Sequence, residues 1–440
     1  MNIISALFLF ATVTGILVLP RRWSPLPLLM GACYMTNAQS LDIGPFHFTV
    51  LRVLLLVGFI RAKMRGERLP GGLKGLDMLI IAWGTWLILA SVFHKPLGDM
   101  LVTHLGMAYN VLGIYFLLRI FCRDTEDLVQ VFKITALLIV PVALEMINEV
   151  VTHRNMFGFL GGVPMEVLMR EGKYRAQGPF GHPILAGTVG SLCVPFMLGI
   201  WPRHRLAAKV GLVACLAMAF TCGSSGPLMT FFITVFGVVM WRWRRFVPLM
   251  CGAAVVFYFA CNILMTRPAY YLLEKIDLTG SSSSYHRAAI IEAGNTHLSE
   301  WWLGGTDYTR HWMPYGVSFS EDHADITNHY LFYGIHGGVL IIIIFNCALW
   351  TGFRYVHQTL KLSLEAPFHE RFLIWCTGAA LFGHVATMVT VAYFDQSVMF
   401  LYLNLAVIGS IHGTAITAMR ARLRPSHRSD LEWASSPVSA

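Results

Sequence analysis

Apolar stretches recur along the whole chain, separated by short polar ones, and this constrains the fold more than any single motif. A helix that crosses a membrane needs about 20 mostly apolar residues, because the hydrocarbon layer is roughly 30 Å thick and every backbone polar group in it must be bonded within the segment. Windows of this kind fall near residues 3–19, 26–36, 46–60, 76–93, 100–121 and 128–147, and again near 184–201, 207–222, 227–241, 246–266, 329–349, 372–390 and 398–419. The expectation is an all-α, polytopic membrane protein with about twelve or thirteen spans. Composition agrees: 56% of the 440 residues are hydrophobic, 13% are charged, and the mean hydropathy is +0.60, which is more apolar surface than a soluble core absorbs. The first window has neither a basic leader nor a small-residue cleavage site, so it reads as a span and not as a removable signal.

Lysine and arginine gather in alternate loops: Arg61 to Lys74, Arg119 and Arg123, Arg203 to Lys209, Arg242 to Arg245, then Arg354 to Arg371, and finally the stretch after Met419. Short basic loops stay in the cytoplasm, so residues 148–182 and 267–327 fall outside by parity. Residues 1–419 form the membrane domain, and 420–440, rich in Ser and Pro and without periodicity, are expected to be a disordered cytoplasmic tail. The net charge of +9 is dispersed over these loops with no basic stripe, which argues against nucleic acid and for anionic membrane lipid. The nine cysteines show no C-x-x-C spacing and avoid both outer loops, so neither disulfides nor a cysteine zinc site is indicated. No repeat of 20 to 50 residues is visible.

The outer loops hold the candidate chemistry. Ser284 reads as the N-cap of an amphipathic helix that carries Arg287 in its first turn, where unpaired amides and the helix dipole already favour a phosphate. The alternative is that Arg287 pairs with a carboxylate such as Glu292 or meets lipid headgroups. Arg175 and His182 sit just before Pro183, at a second outward helix start; the alternative is a plain turn re-entering the membrane, with Arg175 as a headgroup anchor. Asn328, His329 and Tyr330 open a third such helix. The helix dipole and desolvation both oppose an imidazolium there, which predicts a neutral His329 able to act as a general base. The alternative is an interfacial histidine bonded to a carbonyl, the structural reading also given to His104, His336, His384 and His412. Glu321, Asp322 and Asp325 match no metal-binding loop, and Glu145 lies near a helix end where solvation suffices.

Taken together, Arg175 in R-A-x-G-P-F-x-H-P, Arg287 in S-x-x-R, Trp302-Leu-Gly-Gly305, and Asn328-His-Tyr-Leu331 with Gly337-Gly338 resemble the O-antigen ligase and polymerase family in order and spacing. The resemblance implies a GT-C-like membrane glycosyltransferase at the outer face of a bacterial inner membrane. It implies an undecaprenyl-diphosphate-linked glycan donor, a lipid or glycan acceptor, and no required metal or cofactor. Arg175 and Arg287 would hold the diphosphate, with His182, Asn328 and Tyr330 nearby, and His329 would activate the acceptor hydroxyl. The family often reads H-N-x-Y-L where this chain has Thr327-Asn-His-Tyr-Leu331, which moves the imidazole two positions along. It also commonly carries an arginine where Thr221-Cys-Gly-Ser-Ser-Gly226 has Ser225. Ligase and polymerase remain undivided at this level. A lipid-linked oligosaccharide flippase or secondary transporter is the competing class, and a non-catalytic scaffold of an export complex is a third; a carrier places its polar groups at mid-membrane on broken helices, whereas these gather in outer loops.

Overall fold

Each apolar window becomes a helix in the computed structural model, which describes residues 1–275, 283–313 and 320–423. In chain order the helices are α1 (Ile3–Val18), α2 (Pro25–Tyr34), α3 (Val50–Met64), α4 (Gly75–Ala90), α5 (Leu97–Phe121), α6 (Thr125–Thr152), α7 (Pro183–Ile200), α8 (Arg205–Thr221), α9 (Ser225–Val239) and α10 (Val247–Leu264). The outer-loop helices α11 (Ser283–Thr296) and α12 (Leu298–Trp301) follow, then α13 (His329–Leu362), α14 (Phe368–Thr387) and α15 (Val398–Leu423). Among the described residues seven helical segments are long and apolar enough to cross a membrane, against the twelve or thirteen spans expected, and α1 and α9 are shorter apolar helices. The protein is therefore mostly helical and of membrane type.

Four details depart from the sequence expectation. The fold is not purely helical: strands Ser40–Ile43 and Phe46–Thr49 form one antiparallel hairpin and Leu168–Arg170 and Lys173–Arg175 another, so the window opening at Phe46 starts as strand and becomes helix only at Val50. The helix expected to end near Leu349 continues to Leu362, so Arg354 and Lys361 lie on its last turns and not in a loop. The last helix extends past Met419 to Leu423, whereas residues 424–440 of the expected tail lie outside the described residues. The 276–282 segment is also outside them, as is the side chain of Ser284, whose capping role is thus not described; the residue itself falls inside α11.

Strict alternation of the helices gives the bundle two unlike ends. At the basic end Arg21 reaches Asp127 and the Phe121 carbonyl, Arg203 bridges Glu126 and Glu370, and Thr414 Oγ1 donates to the Arg123 carbonyl at 2.5 Å. A buried ion pair between Asp77 and Arg119, with Tyr115 Oη donating to Asp77 at 2.7 Å, ties α4 to α5 there. At the opposite end the long loops meet. Gln39 Nε2 donates to the Leu160 carbonyl, Gln396 Nε2 donates to that of Pro179 at 2.7 Å, and the Asn2 amide donates to Gln39 Oε1 at 2.9 Å. The chain therefore starts at the loop end.

Most enclosed are α7 and α15, whereas α10 exposes apolar side chains all round, including Leu249, Val256, Phe259 and Ile263. Such a helix suits lipid on every side. Helix α13 breaks at Gly337 and Gly338, where Gly338 adopts φ +71. That break receives the loop before α13: the Val339 amide donates to the Trp302 carbonyl and the Thr306 amide to that of Ile335, both at 2.8 Å. A Cβ on Gly338 would sit 2.5 Å from the Leu303 oxygen, and one on Gly305 would sit 2.2 Å from the Ile335 oxygen. The two Gly-Gly pairs are thus the two faces of one backbone-to-backbone docking, which only side chains without a Cβ permit.

Candidate functional site

Two buried acidic side chains fold the loop between α6 and α7 against the bundle. Glu149, in the last turn of α6, accepts the amides of Gln177 and Gly178 at 2.9 and 2.6 Å, and Asp395 accepts that of Gly181 at 2.7 Å. Both act at the ends of the turn between Arg175 and His182, so the Gly-Pro-Phe-Gly segment is held by an acidic side chain at each end. Glu145, the acid noticed in the sequence, instead accepts the Met156 amide at 2.7 Å.

The structure brings Arg175, Arg287 and His182 together around the start of α9. The Arg175 side chain lies against Gly223 and its Nε donates to the Cys222 carbonyl at 3.3 Å. The Arg287 guanidinium comes within 3.4 Å of the position a Cβ on Gly226 would take. Both arginines are buried, and burial draws the Arg175 guanidinium below its ordinary value, with the charge of Arg170 adding to the effect. No side chain among the described residues caps α9, and the buried Ser225 Oγ at its first position has no partner there. An uncapped helix start flanked by two guanidinium groups has the charge and the free amides to hold an anion. Sequence reasoning placed the helix starts of α7, α11 and α13 in this role and missed that of α9; its signal was the Cys-Gly-Ser-Ser-Gly turn, registered only as lacking an arginine. Arg287 brings a guanidinium to that very turn.

Beside this pair of arginines lies a cavity of about 400 Å³ whose lining includes His182, Thr306, His323, Asp325, Thr327 and His336. Val391, another lining residue, lies 3.8 Å from the same Gly226 position that Arg287 approaches, so the cavity and the arginines adjoin. His182 caps α7, with Nδ1 accepting the Ile184 amide at 3.1 Å. The proton of the neutral ring is then on Nε2, a donor suited to an anionic ligand. Burial, then the charges of Arg175 and Arg170, push this imidazole down to about 4. Burial likewise raises the Asp325 carboxyl against the pull of His286. Thr327, at the position where the resembled family carries histidine, has a buried Oγ1 without a partner among the described residues.

His329, Asn328 and Tyr330 do other work. The His329 amide donates to the Met388 carbonyl at 2.8 Å, and its ring is fully buried among Tyr333, Phe345 and Tyr393. Its Nδ1 accepts the Tyr393 amide at 3.1 Å. A backbone N–H only donates, so the neutral ring is protonated on Nε2 and its single lone pair is already used. This geometry leaves it no lone pair for an acceptor hydroxyl. Asn328 is the N-cap of α13, accepting the Leu331 amide at 2.9 Å and donating to the Val389 carbonyl at 3.0 Å. Tyr330 Oη donates to the Val385 carbonyl at 3.0 Å.

His336, read from the sequence as structural, has the complementary arrangement. Its Nδ1 donates to the Phe332 carbonyl one helical turn earlier at 2.8 Å, which leaves the lone pair of the neutral ring on Nε2. Behind it stand His104 and His94, with ring centroids 5.6 Å and then 5.2 Å apart, and His94 Nδ1 lies 2.5 Å from Asp307. The spacing from Phe332 to His336 was the sequence signal, but nothing in it told which side faced the cavity. Neither known family models nor curated proteins give a match to this chain.

Proposed function

We propose that the chain is a membrane glycosyltransferase of GT-C-like type. It moves a glycan from an undecaprenyl-diphosphate-linked donor to a lipid or glycan acceptor at the outer, periplasmic face of a bacterial inner membrane, as an O-antigen-ligase-like enzyme or a polysaccharide polymerase. The observation that carries this reading is the anion site made by Arg175, Arg287 and the uncapped start of α9, set against a cavity bordered by imidazoles. A diphosphate is a good leaving group once guanidinium forks and helix amides hold its charge. The only remaining demand is to deprotonate the acceptor.

His336 fills that role in place of His329. Its Nε2 takes the hydroxyl proton as the acceptor oxygen bonds to the anomeric carbon, the carbon–oxygen bond to the diphosphate breaks, and the lipid diphosphate leaves with the electron pair. Attack opposite the leaving group inverts the anomeric configuration. Proximity of the two bound glycans supplies much of the rate. A carrier also places polar groups on broken helices, and α13 breaks just after His336, but here the break is filled by the docked Trp302–Thr306 backbone and both arginines lie at the loop end, which favours transfer.

The test is transfer by purified protein in lipid nanodiscs, with donor binding measured separately. His336→Gln is expected to stop transfer and spare binding, and Arg175→Ala and Arg287→Ala to weaken binding. Unchanged transfer in all three would remove the mechanism.

A further inference from the structure

The second outer loop carries a cluster of metal-ligand side chains away from the cavity lining. His297 precedes α12, Glu300 lies within it, and His311 sits in the turn that follows, so the three come from both arms of the loop. One ligand atom from each lies within 4.8 Å of the other two. His297 Nδ1 is 2.7 Å from Glu300 Oε1, and His311 Nε2 is 3.0 Å from Glu300 Oε2.

We propose that His297, Glu300 and His311 form a zinc-class site: a divalent transition-metal ion held by two imidazoles and one carboxylate, with a water in the fourth position. Zinc accepts this donor set at about 2.0–2.2 Å, which puts neighbouring ligand atoms roughly 3.3 Å apart. The observed nitrogen–oxygen separations of 2.7 and 3.0 Å fall a little short of that value, so rotations of the side chains suffice.

The surroundings hold the ligands in place as an outer shell does. Trp312 Nε1 donates to Glu300 Oε2 at 3.2 Å and fixes the carboxylate. The His297 ring stacks on Trp312 with 9° between planes, and His311 stacks on Tyr308 with 8°.

The ion's work is mechanical. It joins the α11–α12 arm to the segment that leads through Thr309 and Arg310, whose amides both donate to the Asp322 carbonyl at 2.9 and 3.0 Å. It thus closes the loop that supplies Thr306, His323 and Asp325 to the cavity, and it is independent of the transfer reading.

The experiment uses the full chain without a polyhistidine tag, stripped with chelator and titrated with Zn²⁺ against a competing chromophoric chelator. Co²⁺ absorption reports the coordination. One equivalent is expected to bind and to raise the melting temperature. His297→Ala and His311→Ala should lose that equivalent, Glu300→Gln should weaken it about tenfold or more, and His153→Ala should keep it. Equal melting temperatures of wild type and Glu300→Gln in chelator show that the fold is intact. Absence of a bound equivalent in the wild type, or one that persists in the His297→Ala/His311→Ala double variant, overturns the site.

Discussion

The two histidines two turns apart on α13 can be separated by a pair of substitutions with opposite outcomes. In His336→Gln the cavity loses its lone pair on Nε2 while a side chain of similar length remains. Positioned general bases contribute about 10²–10⁴ in rate, or roughly 2.7–5.5 kcal/mol at 1.36 kcal/mol per decade. The turnover number should fall by that factor with donor binding unchanged. In His329→Phe the ring stays packed near Tyr333 and Tyr393, at 4.3 and 5.1 Å, but the Tyr393 amide loses its acceptor. An unsatisfied buried amide costs about 1–3 kcal/mol, so the melting temperature should drop while transfer per folded molecule holds. Transfer would be followed with purified variants in nanodiscs, and folding by thermal melts of the same samples. A His329→Phe protein that folds and binds donor but does not transfer, beside a His336→Gln protein that transfers at the wild-type rate, would refute the tautomer argument.

Other substitutions probe the supports of the site. Gly338→Ala, at φ +71 with a Cβ driven onto the Leu303 and Trp302 oxygens, should cost about 1–3 kcal/mol and undock the outer loop, read as faster proteolysis within 302–313. Arg175→Lys should recover little of the donor affinity lost in Arg175→Ala, because an ammonium cannot present the guanidinium fork; equal affinity of Lys and wild type in a donor titration would contradict this. Glu149→Ala removes the acceptor of two turn amides and should lower donor affinity without touching the donor, with a lower melting temperature in the same samples. For pH, the His182 value of about 4 lies below the unfolded value of about 6.5, so the folded state binds fewer protons. Its contribution to stability is full above 6.5 and is lost as the pH falls towards 4. His182→Asn should therefore show a shallower fall of melting temperature across that window than the wild type.

What the residues revealed in advance follows from which forces act locally. The spans were legible because the cost of unpaired backbone in hydrocarbon forces long apolar runs, and the two ends were legible because Arg203, Arg242 and their like crowd alternate loops. Helix ends were less so: Arg354 and Lys361 are polar enough to suggest a loop, yet they ride on a helix that outruns its apolar part. Arg175, Arg287 and His182 could be singled out because a cation beside a helix start has a local signature. The start of α9 beside the arginines and the place of His336 in the cavity lining could not, since both depend on neighbours far along the chain. His329 misled for a physical reason: Asn328 caps the helix, and the bond from the His329 amide to Met388 turns the following ring inward to Tyr393.

The central claim is that one pocket at the loop end receives the lipid diphosphate. A photoreactive undecaprenyl-diphosphate glycan, crosslinked to the protein in nanodiscs and mapped by mass spectrometry, tests it directly. The account predicts label on peptides spanning 175–185, 222–226 and 323–336, reduced by unlabelled donor and by Arg175→Ala with Arg287→Ala. Competable label confined to the basic end, or on α10 alone, would contradict it.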